Sequence, residues 1–184
     1  MEILKTFAPL FLAVLAVLLT LSFVLAICRG APFVPTGQEK VFRMLKLAAL
    51  KKGETLVDLG SGDGRFVLLA AEKGARAIGV ELNWVLVLWA RLRIWAAGLG
   101  DVARIVRSNV LTYDLRGVDV VICYLSPEMN KKLQAKLERE LKPGARVLTN
   151  TFSFKGWKAS ARDEKEKLFV YTTGKIRESK RTKS

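Results

Sequence analysis

The 184-residue chain contains no histidine and only two cysteines. Without an imidazole, the triads that use histidine as base are excluded and the common zinc sites lose their usual ligand, so no metal site is expected. Cys28 lies in an apolar stretch near the N-terminus and Cys123 in a run that reads as a buried strand, so neither belongs to a disulfide framework. Any general base must be a carboxylate, tyrosine, lysine or water. Acidic residues are also scarce: 17 Asp and Glu against 31 Lys and Arg leave a net charge of +14. The first 28 residues carry only Glu2 and Lys5, which places the whole excess downstream. A field of that sign favours anionic lipid head groups, nucleic acid or acidic protein surfaces without choosing among them. A solvated cationic face is an equal reading.

Charge is missing altogether from residues 8–28, which Lys5 and Arg29 bracket. At about 1.5 Å per residue this run matches a hydrocarbon core of roughly 30 Å, and it exceeds the apolar region of about 7–15 residues in a signal peptide. It is expected to span a membrane as an uncleaved anchor. Arg29, Lys40, Arg43 and Lys46 follow the span, while only Lys5 precedes it. The positive-inside rule therefore predicts a single-pass protein with its folded domain on the cytoplasmic side, or the matrix side if mitochondrial. Three regions result: an anchor over 1–30, one α/β domain over 31–174, and a basic, flexible tail over 175–184.

Pro32 and Pro35 force an extended linker, and Thr36 with Glu39 has the spacing of a capping box for a helix reaching about Lys51. The most informative stretch follows at 55–65, T-L-V-D-L-G-S-G-D-G-R: an apolar run, an acid, three glycines at alternate positions, then apolar residues at helical spacing. Strand, glycine turn and helix are predicted in that order, a backbone that lets a small ligand approach closely. A second strand over 76–80 ends in Glu81, and Asn83 caps a helix to about Ala97. Its Trp84, Trp89 and Trp95 read as core rather than as a stacking platform, on a helix apolar enough to be well buried.

Strands are further predicted over 103–107 and 118–125, too close together for a crossover helix, so an irregular loop carrying Asn109, Tyr113 and Asp114 must join them. Ser126 and Pro127 open the next helix, K-P-G ends it, and a fifth strand covers 145–149. A short strand over 156–161 and a longer one over 168–173 finish the domain as an antiparallel edge. The fold class expected is α/β, a doubly wound, mostly parallel Rossmann-like sheet binding its ligand at the carboxyl ends of the strands.

A dinucleotide needs G-x-G-x-x-G, but the third position here is Arg65, and Asp58 two residues before Gly60 would sit poorly beside a pyrophosphate. Glu81, 21 residues after Gly60, stands where a carboxylate takes ribose hydroxyls. S-adenosylmethionine has a ribose, an ammonium and a sulfonium but no phosphate, and it suits both acids.

The segments V-D-L-G-S-G-D-G-R and V-E-L-N-W resemble motifs I and II of class I S-adenosylmethionine-dependent methyltransferases. Together with P-F-V-P-T, C-Y-L-S-P, L-K-P-G-A-R-V and F-x-x-x-G-W in this order, they resemble the small protein-lysine methyltransferases of archaea and mitochondria, over about residues 32–157. The resemblance implies that Asp58, Gly60, Ser61 and Gly62 line the methionine end of the cofactor. It implies that Glu81 holds the ribose, Leu82 and Asn83 border the adenine, and the carbonyl oxygen of Asn109 meets the adenine amino group. It places Tyr124, Leu125, Ser126 and Pro127 in the loop that meets the methyl acceptor, a lysine of a protein substrate, with membrane proteins among the candidates. Asp58 and Glu81 as strand-end acids satisfied by backbone N–H groups, and Tyr124 as an ordinary strand-end aromatic, are the bland alternatives. Methylation of RNA or a small molecule, or cofactor binding without turnover, are the competing functions.

Overall fold

The computed structural model describes residues 2–28 and 37–174. The linker with Thr36 and the basic tail lie outside the described residues. The chain divides into two compact units, Met1–Val34 and Pro35–Ser184.

The described part of the first unit is one helix, α1 (Glu2–Cys28), whose side chains from Phe7 to Leu21 are all exposed. The expected helix is present. Among the described residues, however, no helix is long and apolar enough to cross a membrane.

The second unit begins with α2 (Gln38–Leu47), then β1 (Thr55–Leu59), α3 (Arg65–Glu72), β2 (Arg76–Glu81), α4 (Trp84–Ala96), β3 (Ala103–Arg107) and β4 (Val120–Cys123). It ends with α5 (Pro127–Glu140), β5 (Arg146–Asn150), β6 (Ala161–Asp163) and β7 (Leu168–Thr172). Seven strands form one sheet in the order β3-β2-β1-β4-β5-β7-β6. The first five are parallel, and β7 runs antiparallel to both its neighbours. From β1 the chain winds outward to β2 and β3, then returns to β4 on the other side. That reversal opens a crevice beyond the carboxyl ends of β1 and β4.

Period-two alternation sends Leu56, Val120, Ile122 and Leu148 into one buried cluster with residues of α2, α3 and α4. Val57, Val121, Cys123 and Val147 take the opposite face. Right-handed crossover puts α5 on that face, with Leu133 and Leu137 fully buried. As expected, β3 and β4 are joined without a helix: residues 108–119 form turns, with Leu115 buried and its N–H donated to Glu140 Oε2 on α5 at 3.2 Å.

Three local expectations need correction. α2 is capped by Gly37 with no side-chain hydrogen bond, and Glu39 instead pairs with Arg43 one turn on at 2.6 Å. A capping box puts its acid at the third helical residue, whereas a helix beginning at Gln38 makes Glu39 the second. The short strand predicted over 156–161 forms at Ala161–Asp163 instead, because the preceding segment folds inward. Trp157 packs at a tilt on Phe154, with ring centroids 4.5 Å apart, and edge-on against Tyr171 at 5.4 Å, and Gly156 turns at φ +78°. Most consequentially, the tryptophans of α4 are not core: Trp84, Trp89 and Trp95 are exposed, Trp95 by 77%.

Candidate active site

β1 ends at Leu59 between Val80 of β2 and Cys123 of β4, which brings the three strand ends together. The turn that follows needs glycine at several places: Gly60, Gly62 and Gly64 have φ of +83°, +54° and +78°, a region that costs other residues dearly. Both Gly60 and Ser61 donate their N–H to the Val80 carbonyl, at 2.8 and 3.1 Å, so the turn lies against the end of β2. Gly64 then caps α3, and the first N–H groups of that helix open beside the turn.

Asp58 is 3% exposed and its carboxylate has no hydrogen-bond or ion-pair partner among the described residues. Burial first, then the charges of Glu81 and Asp63, raise its pKa from 3.8 to about 8. An acid in that state is kept neutral only for want of a cation. Ser61 is buried as well, and its Oγ has no hydrogen-bond partner among the described residues. A cationic, hydrogen-bonding group such as the ammonium-bearing methionine end of S-adenosylmethionine fits both orphans. Burial and the proximity of Asp58 also push the Cys123 thiol far up, so it stays protonated and inert.

Glu81 is partly spoken for. Its Oε1 accepts from the N–H groups of Leu82 at 2.7 Å and Asn83 at 2.8 Å, and its Oε2 from Gly62 at 3.0 Å. The strand-end reading is therefore realised in the geometry. A carboxylate offers about four acceptor directions, so Oε2 keeps one for a ribose hydroxyl. Taking both ribose hydroxyls, as expected of this position, requires one of these bonds to give way. Asn83 uses its side-chain oxygen to cap α4 at Val85 and Leu86, while Leu82 is exposed at the rim. Asn109 spends its Oδ1 on the Leu111 N–H at 2.9 Å, an Asx turn that orients the loop and competes with the adenine contact expected of it.

The acceptor loop divides by role. Ser126 Oγ caps α5 by accepting from Met129 N–H at 3.3 Å, and Pro127 is its first residue. Leu125 is buried against the glycine turn: a Cβ on Gly60 would stand 2.8 Å from Leu125 Cδ2. Tyr124 is half-buried and makes no hydrogen bond among the described residues.

Sequence reasoning missed what holds the turn in shape. Asp63 is bracketed by two guanidinium groups: Arg65 reaches it through Nε and Nη2, both at 2.8 Å, and Arg93 of α4 through Nη1 at 2.7 Å. The same Nη1 donates to the Asp63 carbonyl at 2.8 Å. These contacts hold the Asp63 carboxyl below its ordinary range against the opposing effect of burial. The D-G-R triplet hints at the first pair, but nothing local signals a partner 30 residues on. Replacing Arg93 with alanine is expected to weaken S-adenosylhomocysteine binding about tenfold, the loss of one charged hydrogen bond's worth, with Arg93→Lys intermediate. Calorimetric titration checks this; unaltered affinity in Arg93→Ala would show that the turn holds itself.

A parallel sheet reversing between β1 and β4, an antiparallel β7, a glycine turn after an acid and a second acid closing β2 define a class I S-adenosylmethionine-dependent methyltransferase. Residues 58–161 match the family model of the ANTKMT methyltransferase domain. The chain is 38% identical over 128 residues to a protein-lysine N-methyltransferase of Saccharolobus islandicus, covering 68% of this chain and 80% of that one. It is 39% identical over 131 residues to the adenine nucleotide translocase lysine N-methyltransferase of Mus musculus, covering 71% of this chain but only 57% of that one. A solved RNA methyltransferase from Salinibacter ruber, bound to S-adenosyl-L-homocysteine, superposes with a TM-score of 0.73 at 35% identity over 79% of this chain and 95% of that one. The chain belongs to the family of the ANTKMT methyltransferase domain, the class I protein-lysine methyltransferases, and S-adenosylmethionine is its cofactor.

Proposed function

We propose that this protein transfers a methyl group to the side-chain amine of a protein lysine, working at a membrane surface to which α1 anchors it. The observation that carries the reading is the buried, unpartnered Asp58 beneath the glycine turn, on a chain of this family. When bound, S-adenosylmethionine supplies an electrophilic methyl on a positively charged sulfur. The chain's own part is to bind, orient and keep dry. Asp58 and Ser61 hold the amino-acid end, Glu81 fixes the ribose side, and Leu125 closes the crevice from β4. Tyr124 aligns the amine, whose nitrogen must be neutral to attack. Desolvation lowers the amine's pKa, and its proton leaves to water before entry. No base from the chain is then required.

The uncharged residues 8–28, the exposed apolar length of α1 and the cationic excess beyond it support a single-pass anchor with the folded unit on the cytoplasmic side, or the matrix side if mitochondrial. RNA methylation is a second reading, favoured by the likeness to the Salinibacter ruber enzyme and by the charge of +14. One assay separates them. Purified protein and radiolabelled S-adenosylmethionine are incubated with membrane, soluble-protein and RNA fractions. Label that resists nuclease and yields methylated lysine on hydrolysis is expected, whereas label confined to RNA would overturn the lysine reading. Binding without transfer to any fraction would make the chain a cofactor-binding protein.

A further inference from the structure

The exposed tryptophans of α4 form a surface that methyl transfer does not use. At about 100° per residue, Val87, Ala90 and Ile94 define the side of α4 that packs on the sheet, and all three are buried. Trp84, Leu88, Trp89, Leu92 and Trp95 occupy the remaining arc, about 140° wide. Each is at least 49% exposed. The helix is thus apolar on both sides, a pattern that belongs to buried helices, yet among the described residues nothing covers its outer face. Three of the chain's four tryptophans gather there.

The surroundings indicate what covers it. Arg91 borders the apolar arc, and Arg104 and Arg107 are exposed on β3, the edge strand against which α4 packs. Asp101 is the exposed acid nearby. A second copy of this chain would set these arginines against their own images. Tryptophans and leucines framed by arginines match the boundary between lipid head groups and acyl chains, where indole rings settle and cationic groups meet anionic lipid.

We propose that α4 lies on an anionic bilayer with its outer face inserted at the head-group level, about 5–10 Å deep. The contact starts beside the site, because α4 is capped by Asn83, two residues after Glu81. A crevice so placed opens near the lipid surface and selects lysines presented there. The proposal does not require α1 to span the bilayer; the anchor is read separately, by resistance to alkaline extraction.

The test uses the full chain in vesicles of phosphatidylcholine with phosphatidylglycerol, and reads tryptophan fluorescence. α1 contains no tryptophan, so the signal comes from the folded unit. One variant keeps Trp95 alone and another Trp157 alone, the other three residues being replaced by phenylalanine. Preserved binding of S-adenosylhomocysteine establishes that each variant is folded. Lipids brominated on the acyl chains are expected to quench Trp95 by about half and to protect it from aqueous acrylamide, while leaving Trp157 unchanged. High salt or purely zwitterionic vesicles should abolish the Trp95 quenching. Trp95 that stays open to acrylamide and untouched by brominated lipid would overturn the proposal. Protection from both quenchers would overturn it too, since a protein would then cover the face. Equal quenching in zwitterionic vesicles would overturn the assignment to an anionic surface.

Discussion

Asp58→Asn is expected to lose cofactor affinity by about a hundredfold or more while making the cofactor-free protein more stable, because it removes the acid that an ammonium must meet. The two effects have opposite signs, and that is the diagnostic point. Asp58 has no hydrogen-bond or ion-pair partner among the described residues, and its burial raises its pKa to about 8. A pKa raised in the folded state means that the native protein holds a proton which the unfolded chain releases near pH 4. The favourable contribution of the protonated group is full below about pH 4 and is lost as pH rises through about 8. Above that, the buried charge costs several kcal/mol. The melting temperature of the cofactor-free protein should therefore fall across this window, and that part of the fall should vanish in Asp58→Asn. Binding of the ammonium form of the cofactor restores the charge on Asp58 and expels its proton. Calorimetry at neutral pH, in two buffers of different ionisation enthalpy, should report release of about one proton per cofactor in the native protein and none in the variant. A variant that binds normally, or a native protein that releases no proton, would remove Asp58 from the site.

Gly79→Ala should be the most damaging single methyl in the domain. A Cβ there would stand 2.5 Å from both Ile105 Cδ1 and Ser61 Oγ, and 2.7 Å from Ser61 Cβ. The isoleucine tip can swing aside, but Ser61 Cβ is fixed to a turn tied by two hydrogen bonds to β2. Overpacking of this kind costs about 2–3 kcal/mol, which for a domain of this size lowers the melting temperature by roughly 5–10 °C. Cofactor affinity should fall with it, since the displaced residue belongs to the glycine turn that follows β1. Gly60→Ala offers a contrast. Its Cβ would meet only the mobile tip of Leu125, at 2.8 Å, but its φ of +83° adds backbone strain. Thermal melts and calorimetric titration of the two variants separate crowding from strain.

Much of this site can be read from residue types alone, since β1, the glycine turn and β2 are local in sequence. Asp58 before the turn and Glu81 at the end of the next strand follow from period-two patterning and glycine's tolerance of positive φ. Even the missing helix between β3 and β4 follows from chain length. What was not legible is where side chains spend their hydrogen bonds. Glu81 and Asn109 turn part of their capacity inward to backbone N–H groups, a choice made by turn geometry rather than by residue type. Arg93 reaches Asp63 across 30 residues, a contact that only the packing of α4 creates. The α4 tryptophans misled for a related reason. Hydrophobicity in a sequence says that a surface avoids water, but not that the same chain supplies the cover.

The bond between Arg93 and Asp63 carries a thermodynamic obligation. One helix presents the tryptophan face on its outside and, through Arg93, grips the loop that receives the cofactor. If seating α4 on a bilayer steadies that grip, vesicles will tighten S-adenosylmethionine binding by some factor. Reciprocity then requires the cofactor to tighten bilayer association by the same factor. Loading with methyl donor would thus decide how long the enzyme dwells at the surface, and spent cofactor leaving the turn would loosen its hold. Arg93→Ala should uncouple the two, leaving a protein that meets lipid and cofactor as independent events.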